Sequence, residues 1–175
     1  IVACGDEACR LYHQSLWREV LARTILSHDE LAVYRAKKLP PGPMVSWLLG
    51  RASAKDAVRR QLQLASPMAD TPIASDPAGK PMVADRRLGL VVSISHKDLF
   101  AVAAVGNAAE LAGLGIDVER WRPLDQGVRE DAFAPAERRL LDETEDATTA
   151  YIAAWSAKEA IGKALGSGVA GDMRS

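Results

Sequence analysis

Two carboxylates, Asp117 and Glu119, stand one residue apart in a stretch whose other side chains are apolar or glycine. Because side chains alternate between the two faces of a β-strand, a strand here places both carboxylates on one face, with Ile116 and Val118 toward the core. Two like charges on one face repel each other unless a cation lies between them. A hard divalent ion such as Mg²⁺, which prefers oxygen ligands, is the usual cation in such a place. The spacing therefore indicates a divalent-metal site.

The same residue types also allow simpler explanations. The two carboxylates are compatible with a solvated edge strand that has Arg120 and Arg122 as ionic partners. Glu159 and Lys163 are four residues apart on a predicted helix, which is enough for a surface ion pair worth about 0.3 to 0.5 kcal/mol. Taken alone, Lys158 beside Glu159 is an ordinary helix surface. Spacing therefore leaves both explanations open.

A histidine and a basic stripe are the other groups with ligand chemistry. Alone, His96 is more typical of a hydrogen-bonded structural histidine than of a ligand. Arg51 and Lys55 are four residues apart on a predicted helix, followed by Arg59 and Arg60. Such a stripe is usually a solvated face, but it also supplies local positive charge for an anionic ligand.

Length and composition limit the class of protein. A chain of 175 residues with 48% hydrophobic and 26% charged residues is long and apolar enough to bury its own core. A formal net charge of −1 gives no bulk positive field for nonspecific binding to nucleic acid or anionic membranes. No apolar run approaches the roughly 18 residues that span a bilayer, and the first residues lack a signal-peptide pattern. We therefore expect a cytoplasmic protein without nucleic-acid or membrane partners, in which Cys4 and Cys9 are free thiols.

The elements that must position these residues begin with helices. Apolar spacing and a capping box from Ser27 to Glu30 predict three of them, over residues 9–25, 27–38 and 44–64. Pro, Asp, Gly and Ala dominate residues 66–89, which predicts a loop and the best internal boundary.

Beyond this loop the apolar period changes to that of strands. It predicts a hairpin over 91–94 and 100–105 and a third strand over 113–119. Two further helices are predicted over 135–141 and 148–165, the second ended by Gly166. The fold class predicted from this pattern is α+β.

Taken together and in order, these residues resemble the surfactin-synthetase type of 4'-phosphopantetheinyl transferase. The matching motifs lie between about Leu26 and Gly168 and are Trp47-Leu48-Leu49-Gly50-Arg51 with Lys55, Gly79-Lys80-Pro81, Ser93-Ile94-Ser95-His96, Gly115-Ile116-Asp117-Val118-Glu119, and Trp155-Ser156-Ala157-Lys158-Glu159-Ala160 with Lys163. A chance match of both acidic motifs in this order is improbable.

The resemblance implies an enzyme that moves the phosphopantetheine arm of coenzyme A onto a serine of an acyl or peptidyl carrier protein, converting apo carrier to holo carrier. It implies that Asp117, Glu119 and Glu159 hold Mg²⁺ against the pyrophosphate. Lys158 would stabilise the bridging oxygen as the bond breaks, and Glu159 would also take the serine proton. The implied contacts to coenzyme A are Arg51, Lys55, Gly79, Lys80, Pro81, Ser95, His96, Lys158 and Lys163.

The family's fold, as the resemblance implies it, consists of two similar α+β halves related by a pseudo-twofold, with coenzyme A in the cleft. We expect a helix-rich half over 1–80 that contacts coenzyme A phosphates, and a half over 81–175 that carries the strands and the metal-binding helix. Both halves in one chain imply a monomer, or a domain of a larger synthase such as a polyketide synthase.

The chain departs from the family pattern at both ends. Its start predicts a helix where the family has a strand. After the helix at 148–165 the family continues with several more strands, whereas this sequence ends at Ser175, so we expect further residues beyond Ser175. Two alternatives stay open: a Mg²⁺-dependent phosphodiesterase or nuclease, and a noncatalytic docking domain for carriers.

Overall fold

The computed structural model of the protein describes residues 2–3 and 11–166. Cys4 and Cys9, predicted to be free thiols, lie outside the described residues. Within the described residues, helices and strands are mixed, which confirms the α+β class.

Three helices form the first part of the fold. α1 spans Ser15–Ile25, α2 spans His28–Ala36 and α3 spans Pro41–Gln61, close to the predicted ranges. The predicted capping box begins α2, and prolines at the first turn of α3 suit a helix start, where the backbone N–H has no intrahelical partner. Their shared core contains Ala22, Ile25, Leu26, Tyr34, Met44, Leu48 and Ala52.

A three-stranded antiparallel sheet packs against α3. β4, Leu90–Lys97, pairs with β5, Phe100–Asn107, in the predicted hairpin, and β1, Val2–Ala3, pairs with the other edge of β5. The chain therefore has a strand near its start, which the sequence analysis did not predict. A second core between α3 and the strands contains Ala54, Val58, Ile73, Val83 and Val92.

The predicted loop over 66–89 contains a second, two-stranded sheet. β2, Ile73–Ser75, pairs antiparallel with β3, Pro81–Val83. The predicted boundary between residues 80 and 81 falls inside this hairpin, and β4 and β5 pack on α3 of the first part. The division of the chain into halves over 1–80 and 81–175 stays a prediction.

Three helices follow the sheets. α4 spans Gln126–Ala132 and was not predicted, whereas α5, Pro135–Asp142, and α6, Ala147–Leu165, match their predictions. Phe133 and Tyr151 meet edge to face, with ring centroids 5.3 Å apart, and hold α4 and α6 together. None of the described helices is both long enough and apolar enough to cross a membrane.

The prediction of a strand over 113–119 is wrong, because these residues belong to no sheet. The Ile116 amide donates to the Ser93 hydroxyl at 3.1 Å, so a side chain takes the place of a strand neighbour here. Gly115 lies against α6 so closely that a Cβ would stand 1.7 Å from the Ala160 carbonyl oxygen. The segment is thus a glycine-dependent contact between β4 and α6. We call residues 113–119 the acidic segment.

Candidate functional site

Asp117 is the centre of the site. Its Oδ1 accepts hydrogen bonds from the Ser95 hydroxyl at 2.8 Å and from the Lys163 ammonium at 2.6 Å. The side chain is only 6% exposed, and Oδ2 is buried without a hydrogen-bond partner among the described residues. Burial opposes ionisation, but the hydrogen bonds from Lys163 and Ser95 outweigh it, so the pKa of Asp117 lies below its ordinary value. Asp117 is therefore a buried carboxylate with one oxygen still unpaired.

Lys163 joins three parts of the chain at this carboxylate. Besides Asp117, its ammonium contacts the Ser95 hydroxyl at 3.0 Å and donates to the Ile116 carbonyl at 3.2 Å. Ser95 belongs to β4, Ile116 to the acidic segment and Lys163 to α6. The site therefore exists only when these three parts are packed together.

Glu159 lies one helical turn before Lys163 and is 9% exposed. Burial is the largest cause of its raised pKa, and the negative charge of Asp117 is the next, with a smaller contribution from Glu119. Lys163 and Lys97 act in the opposite direction. The three predicted carboxylates are therefore near enough to influence one another.

Glu119 pairs with a lysine that the sequence analysis did not single out. The Lys97 ammonium lies 2.8 Å from Glu119 Oε2, with the two side chains 37% and 18% exposed. Lys97 is the last residue of β4, and nothing in its spacing distinguishes it from an ordinary surface lysine.

The residues present fit Mg²⁺ by their chemistry, although their arrangement here is that of ion pairs. Among residues 2–3 and 11–166, no group of three or more His, Cys, Asp or Glu side chains is close enough to hold a metal ion. Lysines hold Asp117 and Glu119 instead. The three carboxylates nevertheless supply hard oxygen donors, and Oδ2 of Asp117 is a buried oxygen without a hydrogen-bond partner among the described residues.

His96 lies beside these groups near the end of β4. The His96 side chain is exposed at the protein surface. Neighbouring atoms nevertheless displace part of the water around the ring, and this desolvation lowers the pKa of His96. The positive charge of Lys163 lowers it further. The imidazole is therefore neutral at neutral pH, with a nitrogen that can donate a hydrogen bond to a phosphate.

Arg51 and Lys55 do not form the predicted solvated stripe, since they are 8% and 0% exposed. The Lys55 ammonium contacts Glu30 Oε2 at 2.5 Å and the Met68 carbonyl at 3.2 Å. The predicted contact between Lys55 and coenzyme A stays a prediction, and it would require this buried ammonium to leave Glu30. The spacing on α3 did not show this, since burial depends on what packs over the helix.

Arg51 keeps a position from which it can reach a ligand. It donates to the carbonyls of Ile73 and Ala74 and to the Ser75 hydroxyl, which attaches β2 to α3. It also lines a cavity of about 520 Å³ together with Trp47, whose ring lies 5.1 Å from the guanidinium.

The Gly79-Lys80-Pro81 motif forms the turn of the β2–β3 hairpin. Gly79 has a φ of +87°, a conformation that glycine adopts without strain. The Lys80 amide donates to the Asp76 carboxylate at 2.8 Å, which closes the turn. The Lys80 ammonium lies 4.0 Å from the position a Cβ would take at Gly166, so the turn reaches the end of α6.

Lys158 points to a different place from Glu159. Its ammonium donates to the Ala132 carbonyl at 2.9 Å and to Glu137 Oε2 at 2.8 Å, and it lies 5.0 Å from the Phe133 ring centroid. The structure therefore places Lys158 at the junction of α4 and α5. The sequence analysis did not predict Glu137 as a site residue. Its contact with Lys158 in the folded protein is what associates it with the site.

The structure thus brings five predicted residues into one group and leaves others outside it. The group contains Ser95, His96, Asp117, Glu159 and Lys163, with Glu119 at its edge. Arg51 and the Gly79–Pro81 turn belong to the β2–β3 side of the molecule, and Lys158 contacts α4 and α5.

Comparison with known proteins relates this geometry to a family. Residues 113–175 match the 4'-phosphopantetheinyl transferase superfamily. The 4'-phosphopantetheinyl transferase HetI of Nostoc sp. is 34% identical over 98 residues, which cover 53% of this chain and 40% of HetI. The 4'-phosphopantetheinyl transferase Npt of Nocardia iowensis is 36% identical over 76 residues, which cover 43% of this chain and 34% of Npt.

The alignments span two fifths or less of the length of these curated relatives. The superfamily match takes in the acidic segment and all of α6, which carry Asp117, Glu119, Glu159 and Lys163. It supports the resemblance at the level of the superfamily. By these matches the chain is similar to members of the 4'-phosphopantetheinyl transferase superfamily.

Proposed function

We propose that the protein catalyses Mg²⁺-dependent transfer of the 4'-phosphopantetheine arm of coenzyme A to a serine of an acyl or peptidyl carrier protein, as an enzyme of the surfactin-synthetase type. The observation that carries this proposal is the buried Asp117 carboxylate, held by Ser95 and Lys163 with one oxygen unpaired, inside the region that matches the superfamily. The comparisons favour neither a nuclease nor a noncatalytic docking domain.

In the proposed reaction the carrier's serine oxygen forms a bond to the β-phosphorus of coenzyme A. The bond from that phosphorus to the bridging oxygen breaks, and adenosine 3',5'-bisphosphate leaves with the electron pair. Mg²⁺, held by Asp117, Glu119 and Glu159, would offset charge on the pyrophosphate. The protein's own task is mainly to position the two reactants and to stabilise charge.

The residues of the group divide this task. His96 and Lys163 lie together and would donate to phosphate oxygens, with Ser95 beside them. Glu159, on the helix that also carries Lys163, would take the proton of the serine hydroxyl, directly or through water. Arg51 and the Gly79-Lys80-Pro81 turn would contact the nucleotide end from the β2–β3 side.

Lys158 stays in the proposal as the cation for the bridging oxygen. Its contact with Glu137 means that it would have to exchange this partner for the substrate. It would also have to leave the Ala132 carbonyl, to which its ammonium donates at 2.9 Å.

The wider architecture is also a proposal. We propose two similar α+β halves, over 1–80 and 81–175, related by a pseudo-twofold and with coenzyme A in the cleft between them, in a monomer or in a domain of a larger synthase, polyketide synthases included. A cytoplasmic location follows from the same proposal, since coenzyme A and apo carriers meet there.

Intact-mass spectrometry of several apo carrier proteins, incubated with the protein, coenzyme A and Mg²⁺, tests the function. We expect a mass gain of one phosphopantetheine that disappears with EDTA and falls at least about 100-fold with Asp117→Asn, because an oriented charge on the reacting groups is lost. Asp85→Asn removes an exposed carboxylate paired with Arg87 and serves as the control. A gain that persists in EDTA and in Asp117→Asn contradicts the proposal, as does failure to bind coenzyme A.

A further inference from the structure

Lys97, the last residue of β4, lies at the edge of the candidate site. It follows His96 directly, and its ammonium lies 2.8 Å from Glu119 Oε2. The ion pair borders a cavity of about 360 Å³, lined also by Arg120. The ammonium therefore lies against one of the three carboxylates and has open space beside it.

The ion pair contributes little to folding by itself. With side chains 37% and 18% exposed, it belongs to the class of partly exposed pairs whose net contribution is about 0 to 1 kcal/mol. The Lys97 ammonium nevertheless offsets the charge of Glu119, one of the three carboxylates of the site, and so lowers the repulsion among them.

The two lysines of the site differ in how firmly they are held. Lys163 contacts three oxygens, those of Ser95, Ile116 and Asp117. Lys97 is held by its pair with Glu119 and is next to the cavity. Of the two, Lys97 is the cation that can leave its carboxylate without disturbing the packing of the acidic segment.

We propose that Lys97 is a displaceable counter-cation, which neutralises Glu119 in the metal-free protein and swings into the cavity when a divalent ion takes the carboxylates. This proposal rests on the metal site of the proposed function, but not on the transfer reaction. It assigns to Lys97 a role in setting the affinity for the divalent ion, because the Lys97 ammonium and the ion compete for the Glu119 carboxylate.

Titration with Mn²⁺, followed by loss of the free-ion EPR signal, tests the proposal on the whole protein. Lys97→Met is expected to bind Mn²⁺ about three- to tenfold more tightly than the wild type, because one competing charge is removed. Lys97→Arg keeps the charge and should keep the wild-type affinity. Arg60→Met removes an exposed charge from the pair with Asp56 on α3 and should also leave the affinity unchanged.

Thermal unfolding supplies a second measurement that needs no activity. In EDTA, Lys97→Met should unfold at a lower temperature than the wild type, since three carboxylates then share one lysine. Addition of Mn²⁺ should raise the unfolding temperature of Lys97→Met by more than it raises that of the wild type.

The outcomes separate the two proposals. Equal or weaker Mn²⁺ binding by Lys97→Met, with normal binding by the wild type, overturns the role of Lys97 and leaves the metal site intact. Absence of Mn²⁺ binding in both proteins overturns the metal site together with the role of Lys97. Tight binding by Lys97→Met but not by the wild type supports the displacement of Lys97 directly.

Discussion

Lys55 carries its charge into the interior, where the ammonium meets Glu30. The Glu30 carboxylate also accepts hydrogen bonds from the backbone amides of Ser27, at 2.9 Å, and Ile73, at 3.0 Å. One carboxylate therefore begins α2, anchors β2 and pairs with α3. Burial lowers the pKa of Lys55, and the hydrogen bond and charge of Glu30 only partly oppose this.

Lys55→Met is expected to lower the free energy of unfolding by about 3 to 5 kcal/mol, because it leaves Glu30 buried without its cation. The double variant Glu30→Gln with Lys55→Met should recover part of this loss. Urea unfolding measures both changes. Arg60→Met, on the exposed side of the same helix, is the control and should change stability by less than about 1 kcal/mol. A loss below 1 kcal/mol for Lys55→Met shows that the pair is not needed for stability.

At the scale of elements, the acidic segment depends on two glycines that let it approach α6. A Cβ at Gly113 would stand 2.4 Å from the Ala164 carbonyl oxygen, and one at Gly115 would be closer still to Ala160. Both obstacles are helix backbone, which cannot turn aside as a side chain can. The helix and the segment must therefore separate to accept any larger residue.

Gly115→Ala is expected to destabilise the protein by about 1 to 3 kcal/mol or more and to weaken Mn²⁺ binding, because the shift carries Asp117 away from Lys163. Gly127→Ala in α4 is the matched control, since its Cβ would meet no atom within 4 Å. That change should be neutral or stabilising by up to about 1 kcal/mol. Urea unfolding and Mn²⁺ titration of both variants check this, and equal stability of the two would contradict the close contact.

These elements also show what the sequence could predict. The long helices and the β4–β5 hairpin follow from apolar periodicity, and α2 begins at the predicted capping box. The acidic segment was predicted as a strand because its alternation is that of a strand. Its backbone instead bonds to Ser93 and Lys163, which are distant in sequence. The β2–β3 hairpin was missed because each strand has only three residues.

The site residues divide in the same way. Residue types and motifs identified Asp117, Glu159 and Lys163, which the structure brings together. The burial of Lys55 and the pairing of Lys97 depend on elements that meet only in the folded protein. No local pattern carries that information.

At the scale of the whole molecule, one carboxylate of the site, Glu159, opposes the stability of the fold. Glu159 has a pKa above its ordinary value of 4.5, so the folded protein binds a proton there more readily than the unfolded chain does. The contribution of Glu159 to stability therefore falls as the pH rises from 4.5 through its raised pKa. A loss of stability of this kind is common at functional sites, which need charged groups that folding alone does not require.

Glu159→Gln is accordingly expected to raise the midpoint of urea unfolding at pH 7, measured in EDTA. The difference from the wild type should shrink as the pH falls through the raised pKa of Glu159 and below 4.5, because the wild-type carboxyl is then protonated in both the folded and the unfolded state. A variant that is less stable than the wild type at pH 7 contradicts the assigned burial and repulsion.

The bond from the Ile116 amide to the Ser93 hydroxyl gives the assembled site a built-in reporter. Backbone amides outside sheets and helices usually exchange their hydrogen with deuterated water quickly, but this one is bonded to a buried side chain on β4. Its exchange rate therefore reports how readily the acidic segment separates from β4. A ligand that joins the segment to α6 should slow that exchange, so the occupancy of the site can be followed at a backbone amide, without any measurement of activity.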